Sequence, residues 1–165
     1  LVQAPVGLIF LGEGDPTDLR SAVAARELDE RVIINPSELD ERTLLIEADM
    51  LIWITGPLVQ EYAPLRAAAV GTPVVATQAP LVDELCVDDE TALVCALDDR
   101  ACLRTAVNRL INQPTLRRQL SRNARADVVE RVEIDREVFH AALRYSLHTA
   151  VVPEQTEAQQ TSESA

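Results

Sequence analysis

Residues 65–80 read LRAAAVGTPVVATQAP. A helix of small residues runs into Gly71, a residue suited to the left-handed position that closes a helix. Pro73–Thr77 then reads as a short buried strand. The strand gives way to Gln78-Ala79-Pro80 and a short helix over 80–85. Helix, glycine, apolar strand and loop is the construction of a parallel α/β sheet, and the loop after such a strand is where ligands bind. Two residues sit oddly in that frame: Arg66 in the helix, and Pro80 where a loop would need free backbone N–H groups.

The same grammar extends in both directions. Val6–Leu11, VGLIFL, is an apolar run ending in Gly12-Glu13-Gly14-Asp15-Pro16, a strand and its turn. A helix begins near Thr17, with Asp18 in its first turn. Arg31–Ile34 is the second strand, stopped by Asn35-Pro36, and Ser37 is the expected N-cap of a helix over 38–48. Met50–Ile54, MLIWI, has no polar residue, as a strand covered on both faces requires. Thr91–Ala96 is the fifth strand. Three helices follow, over 98–112, 114–132 and 134–148, the second opened by Pro114. The pattern predicts an open parallel sheet of five or six strands with helices on both faces, Rossmann-like, followed by C-terminal helices. Residues 1–150 form that domain, and 151–165 read as a disordered polar tail.

Bulk properties narrow the function. The 165 residues carry a formal net charge of −12, which argues against nucleic acid or an anionic membrane as a partner. All 15 cations are Arg, with no Lys. The apolar runs fall short of the roughly 18 residues of a spanning helix, so cytoplasmic residence is expected. Cys86, Cys95 and Cys102 match no paired-cysteine or zinc spacing and read as small buried thiols. His140 and His148 lie too far apart along one helix to share a metal, so no metal site is expected.

Five segments together carry a family resemblance. They are LIFLGEGD (8–15), RVIINPSELDERTLLIEADMLIWIT (31–55), AAAVGTPVVAT (67–77), DELCVDDETALVC (83–95) and NQPTLRRQLSRNARADVVERV (112–132). In this order and spacing the sequence resembles the C-terminal, donor-binding half of a retaining GT-B glycosyltransferase. The resemblance covers nearly all of residues 5–148. It implies a hexosyltransferase-like module holding the nucleotide of a sugar donor, with no metal or other cofactor. The implied partner is an N-terminal GT-B domain, upstream or on another chain. The implied nucleotide-binding residues are Gly12, Gly14, Asn35, Arg66 and Thr77; no catalytic residue is assigned.

This sequence departs from the family pattern where the donor is gripped. The two family Glu positions fall on Leu58 and Arg66 by counting back from Gly71, and Glu61 is out of register. The family's Gly-Gly pair falls on Pro80 and Leu81, and two further Gly positions carry Asp89 and Ala92. An arginine cannot accept hydrogen bonds from a ribose diol, and proline offers no N–H to a phosphate. The resemblance therefore leaves two readings: a donor-binding half with altered, degenerate motifs, and a catalytically inactive GT-B-like structural or interaction module. Turnover by these 165 residues alone is not expected. A dinucleotide-binding domain fits worse, because Gly12-Glu13-Gly14 lacks the third glycine of that fingerprint.

Overall fold

The computed structural model describes residues 6–12, 14–36, 40–54 and 62–150. The loop at 55–61, with Leu58 and Glu61, lies outside them, as do Ser37 and the tail at 151–165. The elements are β1 (Leu8–Phe10), α1 (Thr17–Ala24), β2 (Val32–Ile34), α2 (Glu41–Glu47), β3 (Leu51–Trp53) and α3 (Ala63–Val70). They continue as β4 (Val74–Thr77), α4 (Pro80–Leu85), β5 (Leu93–Cys95), α5 (Arg100–Asn112) and α6 (Pro114–Ala150). Every strand pair is parallel, β1 with β2 and β4 with both β3 and β5. The parallel α/β class expected from the alternation is the class observed. Among the described residues the strands group as two sheets, β1-β2 and β3-β4-β5, rather than one.

β4 organises the core. Its four residues are buried, and successive side chains point to opposite faces, as the two-residue period of a strand dictates. Val74 and Ala76 enter a cluster with Leu45 of α2, Ala67 of α3 and Val82 of α4. Val75 enters another with Ala106 and Leu110 of α5 and Leu120 of α6. Helices thus cover both faces of the three-stranded sheet, and the two clusters are its two hydrophobic layers. The α3–β4 corner is held by Gly71, at φ 88° and ψ 21°. Its N–H donates to Ala68 O (3.1 Å), and Thr72 N–H reaches Ala67 O (2.8 Å). Thr72 is 3% exposed and its hydroxyl donates to the carbonyl of Leu45.

Three local expectations are corrected. α2 begins at Glu41 under Asp40, whose carboxylate accepts from Thr43 N–H (3.0 Å) and Thr43 Oγ1 (2.6 Å). The helix expected from residue 38 under Ser37 therefore starts three residues later, at Glu41, with Asp40 as its N-cap. The helices expected over 114–132 and 134–148 are one element, because no Gly or Pro interrupts residues 115–150. Lastly, Cys95 and Cys102 are not thiols. They form a disulfide with a Cα–Cα distance of 5.7 Å, joining the end of β5 to the first turn of α5.

Two compact units divide the chain, Leu1–Arg125 and Ala126–Ala165. In the first, Arg117 donates to the last carbonyls of α5, Leu110 O (2.6 Å) and Ile111 O (3.2 Å), fixing the corner before α6. The second is helical through Ala150, with an Arg131–Asp127 pair at 2.7 Å one turn apart.

Candidate functional site

In a parallel α/β sheet the ligand-facing edge is the carboxyl end of the strands. The loop after β1 begins at Gly12. Its backbone is bracketed by one side chain from the end of β2. Asn35 Nδ2 donates to Gly12 O (2.9 Å), and Gly12 N–H donates to Asn35 Oδ1 (3.0 Å). Asn35 takes the left-handed φ of 47°, which Asn tolerates better than most residues. The structure thus joins two of the expected nucleotide-binding residues, but to each other. The Gly12 N–H that could face a phosphate is already engaged.

Gly14 follows at φ 102°, where any side chain would be strained. Asp15 then turns its carboxylate onto the start of α1, accepting from Thr17 N–H (2.9 Å) and Thr17 Oγ1 (2.6 Å). These two bonds, the hydroxyl's first, hold the Asp15 carboxyl below its ordinary value. A helix N-terminus attracts anions through its orphan N–H groups. Here an aspartate of the chain itself occupies that position.

Arg66 lies in the first turn of α3, half a turn from Pro64. Its Nη1 donates to Glu41 Oε2, at the start of α2. The guanidinium side chain is 59% exposed and Glu41 38%, so solvent reaches the pair. Thr77 ends β4 opposite Cys95 and is 1% exposed, so it belongs to the interior and not to a surface loop. Beyond it, Pro80 opens α4 with no N–H to offer, under an extended Ala79.

Asp89 has a φ of 59°, a left-handed conformation that glycine adopts without strain. A glycine-favouring position filled by Asp is what the resemblance assigns there. Arg109 of α5 bonds its carboxylate at 2.7 Å. Among the described residues no group of three or more His, Cys, Asp or Glu could hold a metal. None of their helices is long and apolar enough to cross a membrane.

Sequence reasoning did not find Glu41 or Asp15, which decide what the Arg66 and Gly12 regions offer. Glu41 is 25 residues from Arg66, a separation no local pattern reports. Asp15 was legible in principle, as Asp-x-Thr before an apolar helical stretch.

The comparisons with known proteins agree with this architecture. The family model for glycosyl transferases group 1 matches residues 1–113. HepE of Anabaena, solved in complex with UDP-glucose, is 20% identical with a TM-score of 0.69, over 83% of this chain and 40% of HepE. The C-terminal domain of LpcC, a glycosyl transferase group 1 family protein from Francisella tularensis, is 21% identical with a TM-score of 0.63. That match covers 75% of this chain and 68% of the LpcC domain. Sucrose-phosphate synthase from Thermosynechococcus elongatus is 22% identical with a TM-score of 0.58, over 81% of this chain and 38% of that one. The chain thus spans about 40% of the length of HepE. No curated protein is a significant sequence match.

Proposed function

The chain belongs to the glycosyl transferases group 1 family, and on that premise we propose that it is the nucleotide-sugar side of a GT-B transferase with a self-occupied donor grip. The observation that carries this reading is the Gly12–Asn35 bracket at the carboxyl ends of β1 and β2. A glycine whose Cβ position meets nothing within 4 Å lies where a diphosphate would approach the backbone. Its N–H is held by an exposed amide that a stronger acceptor can displace. An oxyanion is such an acceptor, since charge-assisted bonds are roughly twice as strong as neutral ones.

Arg66 has the matching role on the other side of the reading. Expelling a nucleoside diphosphate builds negative charge on the leaving phosphate, and a cation aimed there lowers the barrier. An exposed ion pair is worth about 0–1 kcal/mol, so Glu41 holds Arg66 weakly against a diphosphate. In this reading Gly12, Gly14 and Asn35 face the phosphates and Arg66 answers their charge. Thr77, being buried, supports the strand end and does not touch the donor. No metal has a role. The acceptor would sit against a second domain, as the partial coverage of HepE suggests, and turnover requires that domain.

A second reading is favoured by one observation. Arg66 and Glu41 satisfy each other at a position where the family resemblance expects a carboxylate for the ribose. On that ground the domain is an inactive structural or interaction module.

Calorimetric titration with UDP-, GDP- and ADP-sugars separates the two. Saturable binding between about micromolar and low-millimolar Kd, the usual range of substrate affinities, supports the donor-side reading. No heat of binding from a protein with a folded far-UV spectrum supports the second. A cytoplasmic setting is the finer part of the proposal. Disulfides persist mainly in oxidising compartments, so the Cys95–Cys102 bond counts against that setting. Trapping of thiols in intact cells decides it.

A further inference from the structure

The exposed side of α6 carries its charges in two blocks. We propose that this side docks a second copy of the chain, antiparallel, so that the basic block of each copy lies against the acidic block of the other. The proposal rests on this helix alone and not on donor binding.

The blocks are plain in the sequence. Residues 114–125 hold four Arg and no carboxylate, whereas 126–137 hold five carboxylates and two Arg. Arg118, Arg122 and Arg125 are four and three residues apart, so they share one stripe of the helix. Glu130, Glu133 and Glu137 share the adjoining stripe. Ala126 and Val129 lie between the blocks, Val129 at 51% exposure. All eight residues are exposed. Leu120 and Ala124, on the opposite side of the helix, are buried.

A helix standing alone gains nothing from this order. Arg118 and Arg122 are like charges four residues apart, as are Glu133 and Glu137, and such pairs repel. Among the described residues none of these Arg or Glu side chains is in an ion pair. The net charge of −12 makes one copy repel another over most of its surface. This face, with three Arg and three Glu, sums to zero. It is therefore a place where two copies can approach.

The spacing fixes the register. With the two-fold axis level with the bond between residues 127 and 128, Arg118 comes opposite Glu137 of the second copy, Arg122 opposite its Glu133, and Arg125 opposite its Glu130. Val129 meets Ala126 at the centre. Each pairing occurs twice, as a self-complementary two-fold interface requires. Parallel pairing in register would set Arg against Arg and Glu against Glu. Sliding the antiparallel pair by one heptad keeps a single reciprocal match, Arg118 with Glu130 or Arg125 with Glu137. The stretch from residue 118 to 137 is about 28 Å long at ~1.5 Å per residue. A contact of that length with a small apolar centre belongs with weak, exchanging interfaces.

The test is sedimentation equilibrium of the 165-residue chain and three charge-reversed variants. The parent should be a dimer at about 100 μM, in the weak range such interfaces occupy. Arg122→Glu sets Glu against Glu at two places in the dimer, and Glu133→Arg sets Arg against Arg. Each should raise the dissociation constant at least about tenfold. The double variant, Arg122→Glu with Glu133→Arg, restores both pairings with their signs exchanged and should associate like the parent. An equimolar mixture of the two single variants should also associate, as a heterodimer. A variant that had merely unfolded would not be rescued by mixing. A parent that is monomeric at about 100 μM overturns the proposal. So does a dimer indifferent to both single reversals, which would use another surface. Failure of the double variant and the mixture to associate overturns the register. An assembly larger than a dimer overturns the two-fold contact, which closes at two copies.

Discussion

Gly12 and Gly71 make a controlled pair for testing how backbone conformation and ligand approach separate. Neither glycine has a heavy atom within 4 Å of the place a Cβ would occupy. A steric account predicts that Ala is equally acceptable at both. Conformation predicts otherwise. Gly71 sits at φ 88°, where an L-residue costs about 1–2 kcal/mol. Gly12 has no such left-handed φ, and Ala there gains about 0.4–1 kcal/mol by restricting the unfolded chain. For a chain of this size, 1 kcal/mol moves Tm by about 2–4 °C. Gly71→Ala should therefore lower Tm by about 2–8 °C, and Gly12→Ala should raise it by about 1–4 °C, both read by calorimetric melting. The functional arm runs the other way. An alanine methyl at Gly12 enters the space a diphosphate would use, so Gly12→Ala should weaken UDP-glucose binding at least tenfold while the fold gains stability. Equal melting shifts would refute the conformational argument. Unchanged affinity in Gly12→Ala would refute the placement of the phosphates.

Four further outcomes follow from single contacts. Thr72→Val keeps the shape but strands the Leu45 carbonyl in the core; urea unfolding should show a loss of about 1–3 kcal/mol, and Thr72→Ser should recover most of it. Asp15 and Asp40 have carboxyls held below the ordinary value of 3.8 by Thr17 and Thr43 hydroxyl and amide bonds. Their caps therefore contribute above that value and are lost as pH falls through the lowered folded-state one. Side-chain NMR titration should find both midpoints below 3.8, and amides at the start of α2 should lose protection only under those acidic conditions. Reducing Cys95–Cys102, which closes a separation of 7 residues, should cost about 2.5 kcal/mol on the chain-entropy account, seen as a lower urea midpoint in reductant. Glu41→Ala removes the partner of Arg66 at an exposed pair; stability should change by less than about 1 kcal/mol, while UDP-glucose affinity rises in calorimetry.

The layered part of the fold was legible because it is periodic. Continuous apolarity in PVVAT reports burial on both faces, whereas β3 within MLIWI is only half-buried and Ile54 is exposed; the Gly71 turn reports its left-handed backbone. What escaped was settled between segments. Ser37 and Asp40 both suit an N-cap, and sequence cannot weigh them; Asp40 makes two bonds to Thr43. The disulfide escaped because a seven-residue separation matches no framework by itself. It needs the strand–turn–helix geometry that folds Cys102 back over Cys95. The merging of two helices into α6 is legible in the sequence, since no Gly or Pro stands between residues 115 and 150. In the candidate site, sequence placed Gly12 and Asn35 in adjacent loops but could not say that they bond each other across 23 residues.

The replaced grip residues do not by themselves mean an abolished site. Two kinds of loss have different energetics. Pro80 removes an N–H permanently, and no conformational change restores it. The Gly12 N–H and the Arg66 guanidinium are present and engaged by exposed partners. Freeing an exposed neutral hydrogen bond costs about 0.5–1.5 kcal/mol, and freeing an exposed ion pair about 0–1. Together these lower a binding constant by roughly twofold to sixtyfold, since 1.4 kcal/mol is a factor of ten. A donor that bound only through these two groups would therefore be weakened, not excluded. Complete absence of binding would have to come from the groups that are missing outright, Pro80 and the lost ribose carboxylate, and not from the pairs that are merely occupied.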